Sequence, residues 1–236
     1  MKNDFGFTVK QTEKKIRQQT VAALTRADAA DGSEMNRLVD AINRRTDELV
    51  ALWRTQSGAR VACGQGCSWC CYTQVHPTAP EVLRIADHIR DTFSDDEREA
   101  LLTRLEELDR LVRGLTMREL MNLRLPCALL VDGRCSVYRV RPLICRGWNS
   151  TSERRCAAIH TKTETRSMRS GGVDEGQLGI MHGMRDRALC EGIKTAKLDD
   201  AFFRLPVALL IALTDEGARR KWLDSEPIFE AARSIE

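Results

Sequence analysis

The chain has 236 residues and a formal net charge of +3, from 37 basic and 34 acidic side chains. Hydrophobic residues make up 42% of it and charged residues 30%, which excludes a disordered or fibrous chain. So small a positive excess argues against nucleic acid as a partner. No apolar run approaches the roughly 18 residues of a membrane helix, and no apolar signal region follows the N-terminus. We therefore expect a cytoplasmic protein without a membrane partner.

The first 60 residues carry no cysteine and their pattern predicts helices. Ser33 is a typical capping residue, and Gly58 is placed to end the helix that follows it. Apolar side chains between them recur at steps of three and four residues: Met35, Leu38, Val39, Ile42, Leu49, Leu52 and Trp53.

Three capping boxes predict further helix starts in the middle of the chain. They pair Thr78 with Glu81, Ser94 with Glu97 and Thr116 with Glu119. In each box the two side chains accept hydrogen bonds from the free N–H groups of the first helical turn.

A short β-hairpin is predicted where the helical pattern stops. Apolar residues 128–131 and residues 134–138 flank Asp132-Gly133, a sequence typical of a two-residue hairpin turn. Residues 150–172 are polar and basic and predict a mobile loop with one short helix. From Asp174 onward we expect three or four more helices, with residues 205–213 the most buried.

These elements predict a mainly α fold, a helical domain with one short β-hairpin and a Cys-rich metal-binding centre. We expect N-terminal helices at 1–60, a cysteine-cluster metal-binding domain at 61–160 and C-terminal helices packed on it at 161–236. The three segments are expected to form one globular unit.

Cysteine clustering is the most informative feature of the sequence. Eight of the nine cysteines fall between positions 63 and 156. They form two blocks: Cys63, Cys67, Cys70 and Cys71, then Cys127, Cys135, Cys145 and Cys156. The odd total and the expected reducing compartment argue against a disulfide framework. Cysteines two to four residues apart are typical of zinc modules and iron–sulfur sites, and Gly64 and Gly66 let the loop between them wrap tightly.

The first three cysteines also have the spacing of a radical-SAM cluster motif, Cys-x3-Cys-x2-Cys. Those enzymes are similar to an α/β barrel of repeated strand–helix units, whereas this chain predicts helices and one hairpin. A lone motif without its structural context is weak evidence, so radical-SAM chemistry is disfavoured.

A longer pattern resembles a known family. The block Cys-x3-Cys-x2-Cys-Cys is followed by Cys127 and then by Cys135-Ser-Val-Tyr138-Arg-Val-Arg141-Pro142-Leu-Ile-Cys145-Arg146. This arrangement is similar to the cysteine-cluster family known by its CxxCxxCC motif, a zinc- or iron-chelating domain, although the first spacing here is three residues. The resemblance covers roughly positions 60–160. It implies metal binding in the bacterial cytoplasm and no particular reaction. A similar block occurs in flagellin lysine methylases, where it is associated with an iron–sulfur cluster.

The resemblance ranks the thiols as candidate ligands. Those that match the motif best are Cys67, Cys70, Cys71, Cys135 and Cys145, followed by Cys63 and Cys127 and then by Cys156. Cys190, which stands alone in a helical segment, is predicted to be a buried core thiol. One zinc ion or one four-iron cluster needs four thiolates, so the sequence leaves the number of sites open.

Other side chains are candidates for the surroundings of the metal. Arg141 and Arg146 flank Cys145, and Arg134 precedes Cys135, so these cations could offset the negative charge of a thiolate-bound metal. The alternative is that they are surface charges on a loop. Tyr138 and Trp69 either shield the site or belong to the core. His76 could be a ligand, but a structural role is favoured for it and for His88, His160 and His182.

We therefore expect a metal-binding protein that holds an iron–sulfur cluster, of the [4Fe–4S] type, through Cys thiolates. Its role would be redox, sensing or support of an enzyme reaction, with an unidentified protein or redox partner. The alternative is a structural Zn²⁺-binding adaptor module without catalysis. A protein-modifying enzyme, by analogy with the methylases, and nucleic-acid binding through residues 150–170 are less favoured.

Overall fold

A computed structural model describes residues 2–27, 32–64, 66–160 and 174–233. The mainly α fold predicted from the sequence is confirmed. The helices are α1 (Lys2–Arg26), α2 (Ser33–Ser57), α3 (Ala79–Thr92), α4 (Asp95–Val112), α5 (Met117–Asn122), α6 (Leu143–Gly147), α7 (Glu153–His160), α8 (Glu175–His182), α9 (Glu191–Thr195), α10 (Leu205–Thr214) and α11 (Ala218–Leu223). Short 3₁₀ turns occupy Trp69–Tyr72, Tyr138–Val140 and Glu230–Ala232.

The predicted capping boxes begin α3, α4 and α5. At α2, Gly32 rather than Ser33 holds the cap position, and its cap has no side-chain hydrogen bond. Gly58 ends α2 with a φ of 68°, a left-handed conformation that glycine adopts without strain, and its N–H donates to the carbonyl of Arg54 at 3.0 Å.

The predicted hairpin is also confirmed. Strand β1 (Leu130–Val131) pairs antiparallel with β2 (Arg134–Cys135), and Leu130 lies opposite Cys135. Asp132 and Gly133 have φ values of 48° and 74°, as a type I′ turn requires at both central positions. This tight turn fixes the position of Cys135 relative to Cys127, whose carbonyl accepts the N–H of Leu130 at 2.9 Å.

Two groups of helices surround the cysteine-bearing segments. Helix α1 packs on α2, on a π-helical segment (Gly183–Cys190) that continues α8, and on α9. Helix α10 packs on α3 and α4, and the completely buried side chains there include Ile85, Leu101 and Leu209. Helix α2 also contacts α3, α6 and α8, which places it beside the cysteine-rich region. The three-part division of the chain stays a prediction.

Helix α7 accounts for the short helix expected within residues 150–172, and residues 161–173 lie outside the described part. The predicted helices after Asp174 are present, and α10 coincides with the apolar run at 205–213. A search of the described helices finds none with the length and apolar character that crossing a membrane demands.

Candidate metal centre

Three segments bring the cysteines together. The first is the loop between α2 and α3, which turns at Gly66 with a φ of 96° and continues into the 3₁₀ turn that holds Cys70 and Cys71. The second is the hairpin with the residues before it, and the third is the short helix α6 with Cys145. The N–H of Cys127 donates to the carbonyl of Cys71 at 2.8 Å, so the first two segments are joined directly through their backbones.

Seven thiols line one cavity of about 420 Å³. They are Cys63, Cys67, Cys70, Cys71, Cys127, Cys135 and Cys145. All seven side chains are partly buried. Asp47, Val50 and Arg54 of α2 also line the cavity. Cysteines that are 82 residues apart in sequence, Cys63 and Cys145, therefore face a common space.

The two remaining cysteines differ from each other. Cys156 lies on α7, and its thiol is hydrogen-bonded to the side chain of Ser150. Ser150 also donates its N–H to Cys63 Sγ at 3.1 Å, which ties α7 to the first cysteine block. Cys190 is buried in the π-helical segment, away from the cavity lining, as expected of a core thiol.

Burial raises the pKa of several of the cavity thiols. It raises the pKa of Cys127 to about 12 and the pKa of Cys145 well above its ordinary value, and nearby thiols raise both further. The pKa of Cys70 is raised by a hydrogen bond with the Cys71 thiol and by burial. The two adjacent thiols therefore lie next to each other. A bound cation would offset these unfavourable interactions between thiolates.

The donor set fits the metals that thiolates prefer. Sulfur ligands suit Zn²⁺ and iron–sulfur clusters, and seven of them converge on the cavity. Within the described residues, no group of three or more His, Cys, Asp or Glu side chains is already placed to hold a metal ion. The thiols are thus gathered in one region without being arranged around a single point.

The three arginines predicted beside the metal differ in position. Arg141 lines the cavity, and its charge acts to lower the pKa of Cys70, Cys135 and Cys145 against the larger effect of burial. Its guanidinium carbon lies 3.8 Å from the ring centroid of Tyr138, which holds the side chain over the cavity wall.

Arg146 also lines the cavity, and its buried guanidinium is held by three hydrogen bonds. Its Nη1 donates to Asp47 at 2.6 Å, and its other nitrogens donate to the carbonyls of Arg141 and Arg139. It therefore fixes the backbone on the N-terminal side of Cys145. Arg134 is exposed on β2, where it is a surface charge.

The aromatic side chains and His76, which the sequence offers as neighbours of the metal, differ in their position relative to the cavity. Tyr138 lines the cavity, and so does Trp148. Trp69 is not part of the lining, and its Nε1 donates to Glu153 at 3.3 Å. His76 is not part of the cavity lining. Its burial and the charges of Arg204 and Arg185 lower its pKa to about 4.

Sequence reasoning did not identify the contribution of α2 to the site. Asp47 and Arg54 lie on the cavity wall, and Arg54 is held by two hydrogen bonds to Gln177, at 2.9 and 3.2 Å. Ser150 was missed as well. No local motif marks these residues, because their contacts join positions from about 90 to more than 120 residues apart in sequence.

Comparison with known proteins supports the resemblance seen in the sequence. Residues 62–164 match the family model CxxCxxCC, described as "Putative zinc- or iron-chelating domain". No curated protein and no solved structure matches the chain, so the link to flagellin lysine methylases stays a prediction. The matched segment contains all eight clustered cysteines and every cysteine that lines the cavity. Residues 62–164, less than half of the chain, are therefore similar to the CxxCxxCC domain.

Proposed function

We propose that the protein holds an iron–sulfur cluster of the [4Fe–4S] type through thiolates of the CxxCxxCC domain. The observation that carries the proposal is the convergence of seven thiols on one cavity of about 420 Å³. A single structural zinc ion uses four ligands and needs no cavity. A cluster adds inorganic sulfide and iron within the cavity that the thiols line.

The surroundings of the cavity support an anionic metal centre. Four thiolates around an oxidised four-iron cluster leave a net charge near −2, and burying that charge is costly without cations or N–H donors nearby. Arg141 supplies a cation on the cavity wall. The residues bind and shield the cluster, and the cluster supplies the capacity to accept or donate an electron.

The role proposed for such a cluster is electron transfer, redox sensing or support of an enzyme reaction in the cytoplasm. Each of these roles requires a redox partner or another protein that responds to the oxidation state of the cluster. Part of the cysteine region is accessible to such a partner, because Gly64 and Gly66 are exposed beside Cys63 and Cys67.

The second candidate is a structural zinc module. It is favoured by the position of six of the clustered cysteines, which lie on the segments that connect α2 to α3 and α5 to α6. A metal bound there would cross-link elements that are distant in sequence and would stabilise the fold.

Anaerobic purification followed by analysis of iron, zinc and acid-labile sulfide distinguishes the two candidates. The proposal predicts a brown protein with a broad absorption band near about 400 nm and about four iron and four sulfide per cluster. A colourless protein with stoichiometric zinc and no sulfide would establish the structural module instead.

A further inference from the structure

The cavity that the thiols line is larger than a metal centre needs. Its volume of about 420 Å³ lies in the range of small-molecule sites, which runs from about 300 to about 1,000 Å³. A four-iron cluster core has eight atoms, and even at about 30 Å³ each, the share of a water molecule in the liquid, these occupy about 240 Å³. Space for a small molecule therefore remains beside the metal.

Helix α2 borders this space with a face that carries no cysteine. Four of its residues, at steps of three and four, line the cavity: Asp47, Val50, Ala51 and Arg54. At a rise of about 1.5 Å per residue, this stripe extends about 10 Å along the helix. Asp47 is bound to Arg146, the residue that follows Cys145. Arg54 therefore lies about two helical turns along α2 from the Asp47–Arg146 contact.

The guanidinium of Arg54 is held in place by a neutral side chain. Its Nε and Nη2 both donate to Gln177 Oε1, at 3.2 and 2.9 Å, and Gln177 is completely buried in the first turn of α8. These bonds use the Nε–Nη2 edge of the guanidinium and leave its Nη1–Nη2 edge available. Within the described ranges, that second edge makes no hydrogen bond and Arg54 has no acidic partner.

A chain of hydrogen bonds fixes the Arg54 end of the cavity. Asp174, the cap of α8, accepts the N–H of Gln177 at 2.8 Å, and its own N–H donates to the carbonyl of Asn149 at 2.9 Å. Asn149 and its neighbour Trp148 line the cavity, as Arg54 does. The frame that holds the guanidinium thus also carries an aromatic and an amide side chain at the cavity.

These groups suit a small organic carboxylate. The available guanidinium edge presents two parallel N–H groups, which match the two oxygens of a carboxylate. One cation without an acidic partner balances one carboxylate, whereas a phosphate monoester carries up to about two negative charges. Val50, Ala51 and Trp148 offer apolar and aromatic surface to the rest of such a molecule.

We propose that the Arg54 end of the cavity is a binding site for a small organic monocarboxylate beside the metal centre. Arg54 binds the carboxylate through its Nη1–Nη2 edge, and Gln177 positions the guanidinium without neutralising it. The inference rests on the proposed function, since metal-bound thiolates occupy the remainder of the cavity. The cavity then brings a specific molecule next to the metal in addition to shielding it.

Matched anionic and neutral probes test this site on the anaerobically purified full chain. Benzoate and hexanoate are compared with benzamide and hexanamide, which have nearly the same shapes, by isothermal titration calorimetry. We expect at least one carboxylate to bind about tenfold more tightly than its amide, as a charge-assisted bidentate hydrogen bond implies. Equal affinities within both pairs, or binding of none of the four probes, would overturn the inference. Inorganic phosphate that binds more tightly than either carboxylate would overturn the assigned ligand class.

Two arginines of α2 provide a variant and its matched control. We expect Arg54→Gln to remove the preference for the carboxylate, whereas Arg44→Gln, an exposed change of the same charge outside the cavity lining, retains it. A preference that persists in folded Arg54→Gln would overturn the assignment. If that variant does not fold, the wild type decides: the bound carboxylate must protect Arg54 from modification by phenylglyoxal, and equal modification with and without it would overturn the inference.

Iron, zinc and sulfide contents of the same samples report the proposed function separately. We expect Arg54→Gln to keep its metal, because Arg54 supplies no thiol. A protein that contains a cluster but shows no preference for a carboxylate contradicts the ligand site alone. A protein that contains zinc without sulfide and still binds a carboxylate through Arg54 contradicts the cluster alone and supports the ligand site.

Discussion

The carboxylate of Glu81 connects the start of α3 to the helix that carries Cys145. Its Oε1 accepts the N–H of Leu143 at 2.8 Å, and its Oε2 accepts both the N–H and the hydroxyl of Thr78 at 2.8 Å. Glu81 is only 2% exposed. One residue therefore completes a capping box and also fixes the start of α6 beside the candidate metal centre.

We expect Glu81→Gln to lower the free energy of unfolding by about 2 kcal/mol, because an amide N–H₂ would face a donor where the carboxylate accepts one. Urea unfolding followed by circular dichroism measures this loss. Glu119→Gln is the matched control, since Glu119 completes an identical Thr-x-x-Glu box that is exposed and has no such second bond. Equal losses in the two variants would show that the bond to Leu143 is unimportant.

Because the Arg146 guanidinium is buried, we expect the stability of the fold to depend on its acidic partner Asp47. Arg146 has a side chain that is 3% exposed, and Asp47 is its acidic partner at 2.6 Å. We expect Asp47→Asn to lower the free energy of unfolding by about 1–3 kcal/mol, because it leaves a buried cation without its counter-charge.

The neighbouring residue provides the control for that change. Glu48 pairs with Arg45 on the same helix, but both side chains are about half exposed, at 59% and 46%. Glu48→Gln should cost less than about 0.5 kcal/mol in chemical denaturation. A loss for Asp47→Asn no larger than for Glu48→Gln would contradict the assigned role of the Arg146 pair.

Arg141 should tune the reduction potential of a bound cluster. Its positive charge on the cavity wall stabilises the more negative, reduced state. If Arg141→Gln removes about 1 kcal/mol of that stabilisation, the potential falls by about 40 mV for a one-electron couple. Spectroelectrochemical titration measures the shift. Arg139→Gln, an exposed change of the same charge two residues away, should leave the potential nearly unchanged, and equal shifts would argue against a local effect of Arg141.

We expect His76 to lower the free energy of unfolding in mild acid. Burial, with the charges of Arg204 and Arg185, lowers its pKa to about 4, below the unfolded value near 6.5. Its contribution is therefore fully present above about pH 6.5 and is lost as the pH falls toward 4. We expect about 2 kcal/mol of destabilisation from this residue between pH 7 and pH 5.

The variant His76→Leu isolates that contribution. The fall in its free energy of unfolding from pH 7 to pH 5, measured by urea denaturation, should be smaller than the fall in the wild type. Other acid-sensitive groups, including metal ligands, are common to both proteins and cancel in the difference. Identical pH dependence in the two proteins would show that His76 titrates normally in the folded state.

Local signals in the sequence account for most of the secondary structure. Capping boxes at Thr78, Ser94 and Thr116 and the Asp132-Gly133 turn are complete within four residues, so their hydrogen bonds can be read without tertiary structure. The clustering of cysteines likewise predicts a thiol-rich centre, because short spacings leave the side chains little room to separate.

Contacts between distant segments could not be predicted in this way. Glu81 has a sufficient local role in its capping box, so nothing in the sequence indicates its bond to Leu143, 62 residues away. The same holds for Ser150, which joins Cys63 to Cys156, and for Asp47 on the cavity wall. These side chains are defined by the packing of whole helices rather than by their neighbours in sequence.

The most direct test of the account is X-ray absorption at the metal edge of the anaerobically purified full chain. The first coordination shell distinguishes sulfur from nitrogen or oxygen neighbours whichever metal is bound. The account predicts sulfur ligands only, at about 2.3 Å if the metal is zinc. A first shell made mainly of nitrogen or oxygen would contradict it, because the cavity thiols would then not be the metal ligands.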